Sequence, residues 1–133
     1  MNIRTILFLL VALASPMALA ADISADLAGF WKHAEEPGWI EIRMEDGIGT
    51  GIVMRNDLNP ERVGRELLNG LVKDGSEEGL WRGQVYVERR SDYQDAEISL
   101  AESGRMLIKI KVGLISRTLE WISVDAVPSA GVN

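Results

Sequence analysis

The chain has 133 residues, with 14 Lys and Arg against 20 Asp and Glu, a formal charge of −6, 47% hydrophobic residues and no cysteine. That length suits one domain. The acidic balance argues against nucleic acid and anionic membrane surfaces, which select clustered Lys and Arg, and without cysteine neither a disulfide framework nor a lipoprotein anchored through a cysteine at the cleavage point is expected.

In chain order, Arg4 precedes an apolar run from Ile6 to Ala14, which Ser15-Pro16 breaks before the small-residue triplet Ala18-Leu19-Ala20. This pattern predicts a secretory signal peptide over residues 1–20, cleaved after Ala20. The run is about nine residues, short of the ~20 that a spanning helix needs. No later apolar segment follows, so the expected location is the periplasm, with no transmembrane segment after cleavage. Removing 20 residues from 133 leaves 113, and losing Arg4 takes the charge from −6 to −7. A domain of that size must fill its core well to fold without covalent or metal staples. It is expected over 21–125, with 126–133 as a flexible tail.

The mature chain reads as strands and turns. After a mixed lead-in whose Leu27 is expected to pack on the body, Gly29-Phe30-Trp31-Lys32-His33 opens the first strand, ended by Glu35-Glu36-Pro37-Gly38. Trp39 to Met44 alternates, with Ile40 and Ile42 on one face and Trp39 on the other; Asp46-Gly47 follows, then a second alternating run from Ile48 to Met54. An Asp-Gly pair between two such runs is a hairpin signal, because both central turn residues take positive φ. Gly49 and Gly51 on one strand face predict a bend or a close approach by another side chain.

Arg55 to Gly70 interrupts the pattern. Asn59 is expected to cap a short helix with Pro60 at its first position, Glu61 near its positive end and Gly70 stopping it. Asp57, Asn59 and Glu61 imitate the opening of a calcium loop, but Arg62 stands where the loop needs glycine and Leu68 where it needs glutamate. No metal or other cofactor is expected. Arg65, with Asp57 near it, is the residue least explained by folding alone. It either pins the helix across the barrel mouth through an ion pair or offers a guanidinium to an anionic ligand head.

A short strand is expected after Gly70, and Lys73 to Gly79 is a loop. Leu80 to Glu88 is strand-like with Trp81, Gly83, Val85 and Val87 on one face; Glu88 to Gln94 is expected to be a loop, and Ala96, Ile98 and Leu100 mark the next inward face. Met106 to Val112 alternates most clearly, with Lys109 and Lys111 as its solvated face. A turn near Gly113 to Ser116 leads to Arg117 to Val124, where Leu119 and Trp121 share one face and Ile122 and Val124 the other, predicting a bulge or burial on both sides.

The sum is an all-β chain: a small antiparallel up-and-down barrel of about eight strands with one short helix. Eight strands enclose an interior that side chains can fill or that can hold one small ligand.

Gly29-Phe30-Trp31 resembles the Gly-x-Trp signature of lipocalins and their calycin relatives. The wider order is Gly-x-Trp, an Asp-Gly hairpin, Gly-x-Gly-Ile-Val, Asp-x-Asn-Pro before Arg, Leu-Leu and Gly, then Trp-x-Gly-x-Val-Tyr and a terminal Arg-Thr-x-x-Trp. It resembles the family of small secreted bacterial proteins known as the domain of unknown function numbered 2147, over roughly Leu27 to Val124. The resemblance implies a lipocalin-like barrel in which Trp31 closes one end beneath an arginine of the last strand, here Arg117, by cation–π stacking. Gly29, Trp31, Pro60, Gly70, Arg117 and Trp121 are its structural signature.

No catalytic constellation is present. His33 is the one histidine, expected to cap or face solvent, and there is no Gly-x-Ser-x-Gly elbow. Glu41 and Glu120 alternate with apolar residues as outward acids do. The chain therefore reads as a binding protein for a small apolar or amphipathic molecule, with Arg65, Asp57, Asn59, Trp39 and Trp81 as candidate contacts. The alternative is an envelope interaction module with a filled core, acting through surface residues such as Trp39, and a hydrolase is the least supported reading.

Overall fold

The computed structural model describes residues 27–129. The expected signal peptide and the last four residues of the tail lie outside them. Eight strands follow in order: β1 (Gly29–His33), β2 (Gly38–Glu45), β3 (Ile48–Asn56), β4 (Glu66–Lys73), β5 (Leu80–Val87), β6 (Asp92–Leu100), β7 (Met106–Val112) and β8 (Ile115–Val124). Each pairs antiparallel with its sequence neighbour, and β8 returns to β1 through four rungs, Phe30 with Val124 to His33 with Trp121, closing the barrel. Closure leaves no full-length edge strand for other chains to pair with.

Local chemistry sets the corners. Asp46 and Gly47 both take positive φ, 52° and 78°, so the expected hairpin forms with Glu45 opposite Ile48. Because the meander alternates direction, the connections 34–37, 57–65, 88–91 and 113–114 share one end, called the mouth. The opposite end holds Asp46-Gly47, 74–79, 101–105 and the approach from Leu27. That end is shut. Leu27 is buried as expected, and Trp31 Nε1 donates to its carbonyl at 3.0 Å.

The structure corrects the segment expected to be a helix up to Gly70. Only Pro60–Arg62 makes a helical turn, of the 3₁₀ type, and β4 already begins at Glu66. Asn59 does precede that turn and Pro60 does open it, but the Asn59 side chain makes no capping bond. Instead Asn56 Oδ1 accepts from the N–H groups of Leu58 (3.1 Å) and Asn59 (2.8 Å). Gly70 stops nothing. It sits inside β4 at φ +61°, where Gly49 pairs with Leu71 but Gly51 with Leu68, so β4 carries one residue more than its neighbour. The same excess recurs toward β5, between the pairs Asn69–Gln84 and Val72–Arg82. Gly70 is a bulge residue that only glycine adopts cheaply, and it lets Leu68 and Leu71, three apart, both point inward.

Those two leucines depend on missing side chains opposite them. A Cβ on Gly51 would lie 3.0 Å from Leu68 Cβ, one on Gly49 3.0 Å from Leu71 Cβ, and one on Gly83 2.5 Å from Leu71 Cδ2 and 2.8 Å from Asn69 O. The close approach expected at Gly49 and Gly51 is therefore made by Leu71 and Leu68. Below the mouth the interior is filled: Ile42, Leu68, Leu71, Trp81, Val85, Ile98, Met106 and Ile108 are buried in one contiguous cluster. Side chains in such contact leave little for a ligand to displace.

Two further expectations fail. β8 carries no bulge, because its register with β7 is continuous from Ile115 to Trp121 and Ile122 and Val124 are only half-buried on the outer wall. And β6 starts at Asp92, inside the stretch expected to be a loop; the connection is a single 3₁₀ turn, Glu88–Arg90, closed by Ser91 in the left-handed region.

Candidate functional site

The inward rows of β2, β3 and β8 continue above the filled core into a partly enclosed cavity of about 140 Å³ at the mouth. Its apolar lining comes from Ile40, Val53, Leu67, Leu119 and Trp121; Arg62, Arg65, Tyr86 and Glu88 stand around it. Sequence neighbours do not build it. The ends of five strands and two connections, 57–65 and 88–91, do.

The chain after β3 reaches the mouth through its backbone. Val53 N–H donates to Arg65 C=O at 2.9 Å and Gly64 N–H returns to Val53 C=O at 2.8 Å, with Gly64 at φ +92° to make the turn. This fixes Arg65 above the cavity. Its guanidinium lies 4.9 Å over the Tyr86 ring and its Nη1 meets Glu88 Oε1. Arg62 Nε reaches the same oxygen at 3.2 Å. Two guanidinium groups thus share one carboxylate, so these three side chains together carry one positive charge in excess. Tyr86 is held in turn by an edge contact with Tyr93, 5.3 Å between ring centres, and Tyr93 donates its hydroxyl to Glu66 C=O at 2.8 Å.

The expected residues are distributed unevenly around this site. Arg65 is at its centre, but Asp57 is not its partner: Asp57 accepts both Nε (2.7 Å) and Nη2 (3.0 Å) of Arg55. That fork holds the Asp57 carboxyl below its ordinary range and raises Arg55. Arg55 also donates to Pro128 C=O at 2.9 Å, tying down the first residues of the tail. Asn59 belongs to the turn leading in, and Pro60 shapes it. Trp39 lines the cavity yet is 8% exposed, with Arg55 4.9 Å over its ring and Lys32 5.6 Å. Its burial removes it as an open partner surface. A register shift between Trp39 and Ile40 places both under cover although they are adjacent in a strand. Trp81 is in the filled core and not among the residues lining the mouth.

Arg117 is not the lid of Trp31. It is exposed and pairs with Ile110, whereas the β8 partner of Trp31 is Ser123, six residues on. Trp31 instead finds the Leu27 carbonyl. Trp121, expected to be structural, contributes to the mouth: it is 5% exposed, its Nε1 has no acceptor among the described residues, and His33 packs edge-on against it at 5.0 Å. His33 Nδ1 accepts from the N–H groups of Glu35 (3.1 Å) and Glu36 (3.0 Å), the capping role expected of it.

Sequence reading missed Arg62, Tyr86, Glu88, Leu67 and Leu119 as site residues. Counting turns would have found several of them, since alternate connections of an up-and-down barrel meet at one end. Among the described residues no group of three or more His, Cys, Asp or Glu is placed to hold a metal ion, and no helix is long and apolar enough to cross a membrane.

No family model matches the chain, and no curated protein matches it. Among solved structures it is similar to protein HP1028 from the human pathogen Helicobacter pylori, described as belonging to the lipocalin family. The TM-score is 0.57 at 15% identity, covering 74% of this chain and 83% of that one. At that identity the likeness speaks for the fold: an eight-stranded antiparallel barrel, lipocalin-like in architecture.

Proposed function

We propose that this chain is a periplasmic binding protein, not an enzyme, that takes a small amphipathic anion at the barrel mouth. The observation that carries the reading is the pair Arg62 and Arg65 sharing Glu88 above an apolar floor. A carboxylate or similar head would satisfy the excess guanidinium charge, and bidentate geometry favours planar anions. The floor sets the other half of the ligand. A cavity near 150 Å³ accommodates benzene, so the apolar part here is about six carbons, with the filled core stopping anything longer from entering deeper. Trp121 adds a second motive, because an enclosed N–H without an acceptor costs stability that a polar ligand atom can recover. The location rests on the leader pattern of Met1 to Ala20, and membership of the family numbered 2147 on the motif order from Leu27 to Val124. The one histidine, engaged as a turn acceptor, supports binding over catalysis.

The filled core also favours a second reading, an envelope interaction module without a ligand. One titration separates them. Straight-chain carboxylates of increasing length and the matching alcohols are added to the protein and followed by calorimetry. Saturable binding is expected for carboxylates near six to eight carbons. Arg65→Gln weakens it by about tenfold, and Glu88→Gln, which frees both guanidinium groups, tightens it. Absence of saturable binding, or equal binding of alcohols and carboxylates, overturns the proposal.

A further inference from the structure

The closure of β8 onto β1 is incomplete. Strand pairing runs only from Trp121 to Val124, with one more bond from Ala34 N–H to Glu120 C=O at 2.9 Å. Above that point the β1 side of β8, from Ile115 to Leu119, has no strand partner among the described residues, and β7 pairs with β6 only as far as Ile110. The β7–β8 hairpin therefore stands out from the mouth as a two-stranded finger. Its turn is Gly113-Leu114, with Gly113 at φ +66°.

The chemistry of the finger contradicts the rest of the molecule. Leu114 is fully exposed and Ile115 is 69% exposed, two large aliphatic side chains side by side at the tip. From Lys111 to Leu119 the finger carries two cations, Lys111 and Arg117, and no acid, with Lys109 just below it on the paired wall, in a chain whose net charge is −6. Arg105 pairs with Glu120 at 2.8 Å; Lys109, Lys111 and Arg117 make no ion pair among the described residues. Lys109 stands across the strands from Glu97, which binds Arg82 at 2.9 Å, and both lysines border an outer depression shared with Asp95, so Lys111 and Arg117 nearer the tip are the cations farthest from these acids. The register sets Lys109 and Lys111 on the outer face and Arg117, opposite inward Ile110, on the other, so cations flank the apolar tip on both sides.

We infer that the β7–β8 finger docks this protein on an anionic lipid surface, with Leu114 and Ile115 entering the headgroup boundary and Lys109, Lys111 and Arg117 contacting lipid phosphates. An apolar tip with flanking cations combines the two forces that hold peripheral proteins on membranes, area burial and attraction to acidic lipids. A soluble acidic partner would meet the cations but gives no reason for two exposed aliphatics at a turn. The expectation against anionic membranes rested on net charge, but acids beyond a Debye length of about 8 Å from the surface are largely screened, so the charges beside the tip weigh more than the sum over the chain.

The test is co-sedimentation of the purified protein with vesicles of phosphatidylcholine alone and of phosphatidylcholine containing phosphatidylglycerol. Comparison with variants cancels any contribution of the N-terminal segment. Binding is expected on the anionic vesicles only, and is expected to fall with added salt. Neutralising the cations as Lys109→Gln, Lys111→Gln and Arg117→Gln lowers partitioning by about fivefold each. Leu114→Ser with Ile115→Ser removes most of what remains, and near-UV circular dichroism of the tryptophans verifies that both sets of variants are folded. Failure of the parent protein to bind anionic vesicles, equal binding to neutral ones, or variants that bind like the parent would each overturn the inference. So would binding of an acidic envelope protein, without vesicle binding, lost in the same variants. The fate of the mouth ligand does not enter, because none of the substituted residues lines the mouth cavity.

Discussion

The closed half of the barrel and its mouth are built from the same strands by opposite means. In the closed half the glycines of β3 and β5 make room for leucines of β4, and Leu27 and Trp31 shut the end with a hydrogen bond. At the mouth Leu67 and Leu119 face other full-sized side chains, arginines stand above them, and about 140 Å³ stays open. Small residues opposite large ones exclude ligands, whereas large residues opposite charged ones keep a space and mark its edge. The presence of a barrel therefore says little about capacity; which rows are glycine does.

The contrast can be broken most severely from the closed side. Leu68 is fully buried against Gly51, so Leu68→Ala removes a packed side chain where the backbone is too rigid to collapse. A loss of about 3–4 kcal/mol in urea unfolding is expected, and the new cavity should take up small apolar probes such as benzene. A loss under about 1 kcal/mol would mean that the closed half relaxes as readily as a surface loop and that its filling is not tight.

Gly83→Ala tests the same half by adding a group. The new methyl would meet Asn69 O and Leu71 Cα, backbone atoms that cannot rotate away, as well as Leu71 Cδ2. Overpacking of this kind costs about 1–3 kcal/mol. Because the contact lies in the closed half, calorimetric binding at the mouth should be unchanged in the folded fraction. A variant that stays stable but loses mouth binding would couple the two halves and undo the distinction between them.

Much of the barrel was legible in the order of residues. The Asp46-Gly47 turn, the alternation of β2, β3, β5 and β7, and the Gly49 and Gly51 close approach follow from local rules that the fold obeys. The misreading at β4 has a specific cause. Asn59 and Pro60 look like a helix start, and Gly70 looks like its stop. In the barrel the start is a single 3₁₀ turn, and the glycine is the extra residue of a bulge. Propensity cannot separate the two, because pairing with β3 and β5 decides between them. The site was half visible. Arg65 stood out as unexplained, but its partner Glu88 lies on another connection, and Asp57, near in sequence, is claimed by Arg55. Arg117 illustrates the converse: a family signature suggested a stack on Trp31, and the register sets Arg117 six positions from Ser123, the β8 partner of Trp31.

The smallest expected effect comes from the closed end's outer wall, where one carboxylate is held without being buried. Asp74 Oδ1 accepts from the Ser76 hydroxyl at 2.6 Å and from its N–H at 2.8 Å, while Oδ2 accepts from Arg82 Nε at 2.6 Å. These bonds favour the charged form, the Ser76 hydroxyl most and Arg82 next, and lower the carboxyl from 3.8 to about 2. A depressed carboxylate contributes stability that is fully present above its unfolded value and is lost as pH falls toward its folded one. Asp74→Asn should therefore melt slightly below the parent at neutral pH, and the gap should close as pH falls from about 4 to about 2. Thermal unfolding of both proteins across that range measures it. Salt should narrow the neutral-pH gap as well, since the Arg82 partner is exposed and screened. A gap that widened toward pH 2 would have the wrong sign for a carboxylate stabilised in its ionised form, and would mean that Asp74 is held by its turn geometry and not by its charge.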